Sequence, residues 1–567
     1  MGKKAHWMLL AMIFAMGMLL AACNGGDDGV DTDADGGTDP DSEEVEDDGG
    51  EDTGEDDGDT ADAGDPVEGG SIILGLDGEI PNLLPAHVNT TQVRDVEDIL
   101  HAKLYRQQAD ELELEPYVAE DFPEISEDGL EYVIQLRDDV YFHDGEQVTA
   151  EDVAFTVGIW LMDDYGGQTP GLFDSIDTIE ATDELELTIT LSEPDANMTF
   201  YLDTPIVPEH ILGEYETYDE LIESDYAQSD AVIGAGPYSL DEWVHGQYLT
   251  FAANDEYFGE GPYIEEITYR IAGSPDAVLA MVQSGEVDVA NIRPQDVSTA
   301  ETIDGYTISE VEGVNVNFMG FNHENELFQD VRVRQAIAMA TDRQGIVDGI
   351  MDGHGLVSHI PHVSGGPFDG GNNTEHPYDT DAALELLAEA GWEQDGSGQL
   401  VNEDGENFSF SLITNSEAHV RGEWIVAVQD MLNQLGMNVE AETMEFNAYL
   451  ERYYDGDFDM NAGAWSLGLY ADPEFTYHSE MIYPEGGNMF RYADDDFDAL
   501  TKDMSQIVDP DEYTQVVQDA HAFISEELPV IPMYNTLEHQ AYSDRIQGYQ
   551  HHSRAGLHRP EEWWVNE

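Results

Sequence analysis

From Leu130 to Leu161 the apolar positions follow two successive periods. Tyr132, Ile134 and Leu136 alternate with Val133, Gln135 and Arg137, the spacing of a half-buried strand. Val140 and Phe142 continue the apolar side beyond Asp138-Asp139. Asp144-Gly145 is a turn pair, since Gly accepts positive φ and Asp bonds its own backbone. Thr149 with Asp152 three residues on reads as a capping box, and Val153, Val157, Trp160 and Leu161 follow at helical spacing. The block predicts strand, turn and capped helix.

The same reading extends along the chain. Ser71 to Leu76 predicts the first strand of a folded body, and Arg94 to Tyr105 a helix. Leu185, Leu187, Ile189 and Leu191 alternate as a strand, and Val316 to Asn322 is extended. Asp330 caps a helix with Val333, Ile337 and Ala340 on one face, and Asp342 caps the next, with Ile346, Val347 and Ile350. Phe408, Phe410 and Leu412 form a strand. A helix follows through Trp424, Ile425, Val428, Met431, Leu432 and Leu435, stopped by Gly436, and Met437, Val439 and Ala441 resume strand spacing. That is a βαβ unit, so the fold class is α/β with a parallel sheet.

The ends change the picture. Lys3 and Lys4 precede an apolar run from Trp7 to Leu20, shorter than the ~20 residues that span a bilayer and suited to a secretory signal over 1–22. Leu20-Ala21-Ala22-Cys23 looks like a lipobox, with Cys23 the only cysteine in the chain, so intrachain disulfides are excluded and a lipid on Cys23 is expected to anchor the protein to a membrane. Residues 24 to 70 hold 21 acidic residues and no Lys or Arg, a composition that cannot bury apolar surface and predicts a disordered linker over 23–69. Its r.m.s. reach is roughly 35–40 Å. Asp31, Asp33, Asp35 and Gly36 imitate the start of an EF-hand loop, but Ser42 stands where the bidentate Glu belongs.

The net charge of −105 continues into the body, where Lys103 and Lys502 are the only lysines. Such a field repels nucleic acid and anionic membrane and disfavours the compact state at low salt. Molar salt shortens the Debye length to ~3 Å, so a hypersaline exterior is expected.

Several blocks carry a resemblance. LRDDVYFHDGEQVTAEDV (136–153) resembles the signature of the family 5 extracellular solute-binding proteins, receptors of ABC importers for peptides, nickel and oligosaccharides. In that family's order follow, around it, Pro116 to Glu120, Gly234-Ala-Gly-Pro-Tyr238, Asn254 to Pro262, Ser284 to Asp288, Phe328 to Ala336 and Ala382 to Gly391. The resemblance spans about 70 to 567. It implies a two-lobed periplasmic-binding-protein-like (class II) fold with an extra subdomain inserted in the first lobe. Lobe I is expected over 70–320 and 533–567, with the subdomain at about 106–197, and lobe II over 321–532. It further implies an extracytoplasmic, monomeric receptor that captures a peptide or similar solute between its lobes and delivers it to permease subunits with ATPases. Nickel chelate or oligosaccharide is the alternative ligand.

Motifs for catalysis are missing: the sequence has no nucleophile elbow, His-Glu-x-x-His, Cys-x-x-Cys or phosphate loop. A secreted enzyme is therefore disfavoured and no cofactor is expected. His143 beside Asp144 reads as part of a turn. His354, His359 and His362 fall within nine residues rich in Gly and Pro, and no metal site is expected of them, because flexible loops seldom preorganise ligands. Arg332 and Arg334 read as surface ion pairs.

By the resemblance, Asn89 and Thr90 sit on a loop facing the cleft, and Ala464 to Pro473 forms the ligand-facing loop of the second lobe. Trp465 and Tyr470 there are candidates to stack on the ligand. Peptide receptors often place an Asp three residues after that Trp to hold the peptide's amino terminus; Gly468 stands there, which weakens the peptide reading. Nickel receptors often place a His just after Asp-Pro, and Glu474 stands there. Asp472 either receives an amine or fixes the turn before Pro473. Thr414, Asn415 and Arg421, after a strand and at a helix start, are candidates for polar or carboxylate contacts.

Overall fold

The computed structural model describes residues 66–87, 90–108, 113–169, 171–364, 366–467, 471–552 and 557–566. The signal-like leader, Cys23, the EF-hand-like stretch, Asn89 and Tyr470 lie outside them.

Among the described residues the main element is an 11-stranded sheet. Its strands are β1 (Ser71–Leu76), β2 (Tyr238–Val244), β3 (Tyr248–Ala253), β4 (Glu266–Ile271), β5 (Val289–Ile292), β6 (Tyr306–Phe321), β7 (Gly355–Val357), β8 (Ser409–Asn415), β9 (Asn438–Met444), β10 (Met460–Ser466) and β11 (Val530–Ser543). They run in the order β9-β8-β10-β6-β11-β5-β1-β4-β3-β2, with β7 also paired to β11. At the centre, β6 and β11 are antiparallel and long enough to belong to both halves. Tyr306 to Glu312 pairs with Ser543 to Leu537 on the side of β5 and β1, and Val316 to Gly320 pairs with Asn535 to Val530 on the side of β10 and β8. The ladder shifts register between Glu312 and Val316 and again between Asn317 and Phe318.

Each half has its own core. Ile72, Leu74, Phe251 and Ile267 pack with Val93 and Val96 in the first lobe; Met319, Phe321, Val333, Ile337, Leu412, Ile425 and Val428 pack in the second. Strands β8 and β9 are parallel and joined by the helix His419–Gln434, the expected βαβ unit. Gly436 leaves that helix at φ +95°, a conformation that favours Gly. The antiparallel sheet of Glu124–Ile125, Glu131–Gln135, Glu186–Leu191 and Ile176–Asp183 forms a separate layer under the helix Ala150–Trp160, burying Tyr132, Ile134, Leu187 and Ile189 against Val153 and Val157. The Asp152 carboxylate accepts from both the backbone N–H and the hydroxyl of Thr149 at 2.8 Å, and its other oxygen takes the N–H of Glu209.

The turn at His143 meets the turn Gly234-Ala-Gly-Pro-Tyr238. His143 Nδ1 accepts from Gly234 N–H at 3.2 Å, and Nε2 donates to the Gly236 carbonyl at 3.1 Å, so the ring is a neutral tie between the turns. Burial lowers its pKa in the same sense. The first helix runs over Thr91–Leu100 and not to Tyr105, because the Leu100 carbonyl is taken by Gly236 N–H at 3.0 Å. Arg332 forms the expected surface pair with Asp330. Arg334 forms an ion pair too, with Glu527 at 3.2 Å, but not at the surface: it is buried and donates to the carbonyls of Phe328, Gln329, Glu527 and Leu528. The apolar face of the helix Val331–Met339 draws Arg334 inward, where these carbonyls at the ends of neighbouring elements await donors.

Candidate ligand-binding site

In open α/β sheets ligands gather beyond the carboxyl ends of the parallel strands. In the second lobe that edge is formed by Asn415 of β8, Met444 of β9 and Ser466 of β10, beside the amino end of the helix His419–Gln434. Of the sequence-derived candidates, Thr414, Asn415, Arg421 and Trp465 belong to these elements, and they differ in what they leave available.

Thr414 is buried and its hydroxyl donates to the Ala462 carbonyl at 3.0 Å, which ties β8 to β10. Asn415, at the strand end, donates to Glu417 and accepts from Arg421 Nη2 at 3.3 Å. Arg421 lies in the first turn of the helix with its Nε buried and unpartnered. Burial lowers its pKa, opposed by the neighbouring Tyr449 and Tyr534. A guanidinium with donor capacity to spare at a positive helix end is suited to a carboxylate.

Trp465 is the penultimate residue of β10, with its ring stacked on Phe318 at 3.9 Å between centroids, and Tyr477 and Phe490 meet it edge-on. It is 7% exposed, so at most an edge of the indole is open. Asp472 caps the short helix Pro473–Tyr477, accepting from Phe475 N–H at 2.9 Å. Burial pushes its carboxyl up to about 6, with further repulsion from Glu474 and from Asp195 of the inserted subdomain. Asp195 is itself raised by burial. Thr90, on the first lobe, caps the helix Thr91–Leu100 by accepting from Val93 N–H at 3.4 Å.

Residues that the pattern did not single out complete the edge. Tyr449 and Tyr534 lie close enough to Arg421 to oppose the lowering of its pKa, and Asn461 donates to the Tyr449 hydroxyl at 3.2 Å. Tyr513 and Asn197 meet where the inserted subdomain touches the second lobe; Ala196 N–H also donates to the Ser505 carbonyl there at 2.9 Å. Ala196 and Phe200 pack there on Phe368, Ala471, Met504 and Val517. No periodicity in the sequence marks such long-range contacts.

Two α/β lobes joined through a pair of shared strands, with polar groups collected at one edge, define a two-lobed solute-binding architecture. Residues 113–481 match the family of bacterial extracellular solute-binding proteins, family 5 Middle. The chain is 30% identical over 573 residues to the oligopeptide-binding protein AppA of Bacillus subtilis (strain 168), a match covering 99% of both chains. The structure of that AppA in complex with a nonapeptide is similar at TM-score 0.65 and 31% identity, over 89% of this chain and 100% of the other. HbpA2 from Haemophilus parasuis shares the fold at TM-score 0.77 and 22% identity, over 88% and 100%. The chain belongs to the family 5 extracellular solute-binding proteins.

Proposed function

We propose that this protein captures an oligopeptide between its lobes and delivers it to the permease of an ABC importer, binding without making or breaking covalent bonds. The observation that carries the reading is end-to-end similarity, at 30% identity, to an oligopeptide-binding protein. Two features support it: the partly buried Asp472 carboxyl suits a peptide ammonium, and Arg421 with Asn415 suits a carboxylate or backbone carbonyls. Gly468 replaces the Asp expected after Trp465, so in this reading Asp472 takes over the amine. Thr90 and Asn89 contribute from the first lobe, and Trp465 and Tyr470 wall the ligand.

In the same proposal residues 1–22 are an export signal, Cys23 carries the lipid that holds the protein to the outer face of the membrane, and 23–69 is the tether. Lobe I is 70–320 with 533–567, its subdomain about 106–197, and lobe II is 321–532. The protein acts as a monomer in a salt-rich exterior. Calorimetric titration in molar KCl against short and long oligopeptides, with oligosaccharides and nickel–histidine as comparison arms, tests the ligand class. Saturable heat with peptides is expected; heat with sugars or nickel chelate alone sinks the peptide assignment.

A further inference from the structure

Strands β6 and β11 place Glu310 directly opposite His539, residues 229 positions apart in sequence, with Glu310 Oε2 at 2.8 Å from His539 Nε2. A third group joins them from the second lobe. His354, on the turn before β7, puts Nδ1 at 3.8 Å from the same carboxylate oxygen. The two imidazoles meet edge to face at 4.6 Å between centroids. One ligand atom from each of the three residues lies within 4.8 Å of the other two. Ligand bonds of ~2.0–2.2 Å require separations of about 3.3 Å in a tetrahedral site, so the observed spacing brackets what a single ion needs. His359 and His362, the neighbours of His354 in sequence, are not in the group.

We propose that Glu310, His354 and His539 form a binding site for one divalent transition-metal ion of the zinc class, with solvent completing its coordination. The donor set argues for the class: two imidazoles favour Zn²⁺, Ni²⁺ or Cu²⁺ over Mg²⁺ and Ca²⁺, which prefer oxygen alone. Side chains alternate along a strand, so Glu538 points to the opposite face from His539, toward Arg94 of the helix that Thr90 caps. The ion thus sits on the face turned away from that helix. It would tie both connecting strands to a segment of the second lobe and stiffen the joint. This assignment is independent of the peptide reading.

The test uses the full chain without an affinity tag, titrated with Zn²⁺ alone by calorimetry and with Co²⁺ followed by visible absorption. One tight Zn²⁺ per chain is expected, unaffected by excess Mg²⁺, with cobalt bands typical of nitrogen and oxygen ligands. The double variant Glu310→Gln/His354→Ala should weaken binding by at least 10–100-fold and abolish the bands, while His359→Ala leaves both unchanged. Glu310 is exposed and His354 only partly buried, so the double variant should fold, as circular dichroism will verify. Uptake of Zn²⁺ no stronger than Mg²⁺ by the wild-type chain, or equal Zn²⁺ affinity in the folded double variant, overturns the assignment. Should the variant not fold, absence of the cobalt bands in the wild-type chain overturns it alone.

Discussion

The hydroxyl of Tyr513, on the helix Pro510–Glu527, lies 3.0 Å from the side-chain oxygen of Asn197 in the inserted subdomain. The same hydroxyl donates to the Ala471 carbonyl at 2.6 Å, one residue before Asp472. One phenol therefore touches both the inserted subdomain and the backbone beside Asp472.

Tyr513→Phe removes that link without altering the apolar packing of the ring. A hydrogen bond of this kind contributes about 1 kcal/mol, so peptide affinity should fall roughly fivefold through faster release. Small-angle scattering of the ligand-free chain should show a larger radius. Unchanged scattering and unchanged release would mean the contact does not hold the lobes together.

Asp472 gives the site a pH dependence whose sign is fixed. Its carboxyl is raised to about 6, so the folded state holds a proton that the unfolded chain has lost between about pH 4 and 6. Its contribution to stability is therefore present at low pH and declines as pH rises through that window. If a ligand ammonium pairs with it, affinity runs the other way, strengthening from pH 5 to 7.5 with proton release. Asp472→Asn keeps a good helix cap, should raise the melting temperature at pH 7, and should flatten the affinity profile.

Gly234 has no room for a side chain. A Cβ there would stand 1.8 Å from the Leu100 carbonyl oxygen, a backbone atom that already serves Gly236. Gly234→Ala should cost more than about 3 kcal/mol in denaturant unfolding, or prevent folding. A loss below about 1 kcal/mol would show that the junction between the two turns yields.

Arg334 and Arg332, two residues apart, should respond in opposite ways. Arg334→Met strips donors from four carbonyls in a buried setting, and a loss of about 3 kcal/mol or more is expected. Arg332→Ala breaks an exposed pair with Asp330 and should change stability by less than about 1 kcal/mol.

Salt should stabilise the whole chain. With a net charge of −105, shortening the screening length from ~10 Å at 0.1 M to ~3 Å at 1 M relieves repulsion everywhere on the surface. Melting temperature should climb steadily with KCl up to molar concentration. A flat response would remove the inference of a hypersaline setting.

What the sequence reveals here is what local physics controls. Thr149 and Asp152 announce a helix start because both partners of the cap lie within four residues, and the βαβ unit around Trp424 is legible from its two periods. Trp465 is less so: alternation places it on a strand, but only the fold shows its face covered by Phe318. Arg334 reads as a surface cation because two of the four carbonyls that receive it, those of Glu527 and Leu528, come from residues nearly 200 positions away. The grouping of Glu310 with His539 arises from strand register, and His354 joins them instead of its sequence neighbours His359 and His362.

Between Glu312 and Val316 the two central strands lose their step-by-step pairing, while on either side each is stitched into a different half of the sheet. An interruption of this kind is where bending between the halves is expected to concentrate. Substitutions elsewhere along these strands will alter how firmly the molecule holds together, whereas one added or deleted residue at this interruption would re-aim one half against the other and leave the binding edge intact but facing nothing.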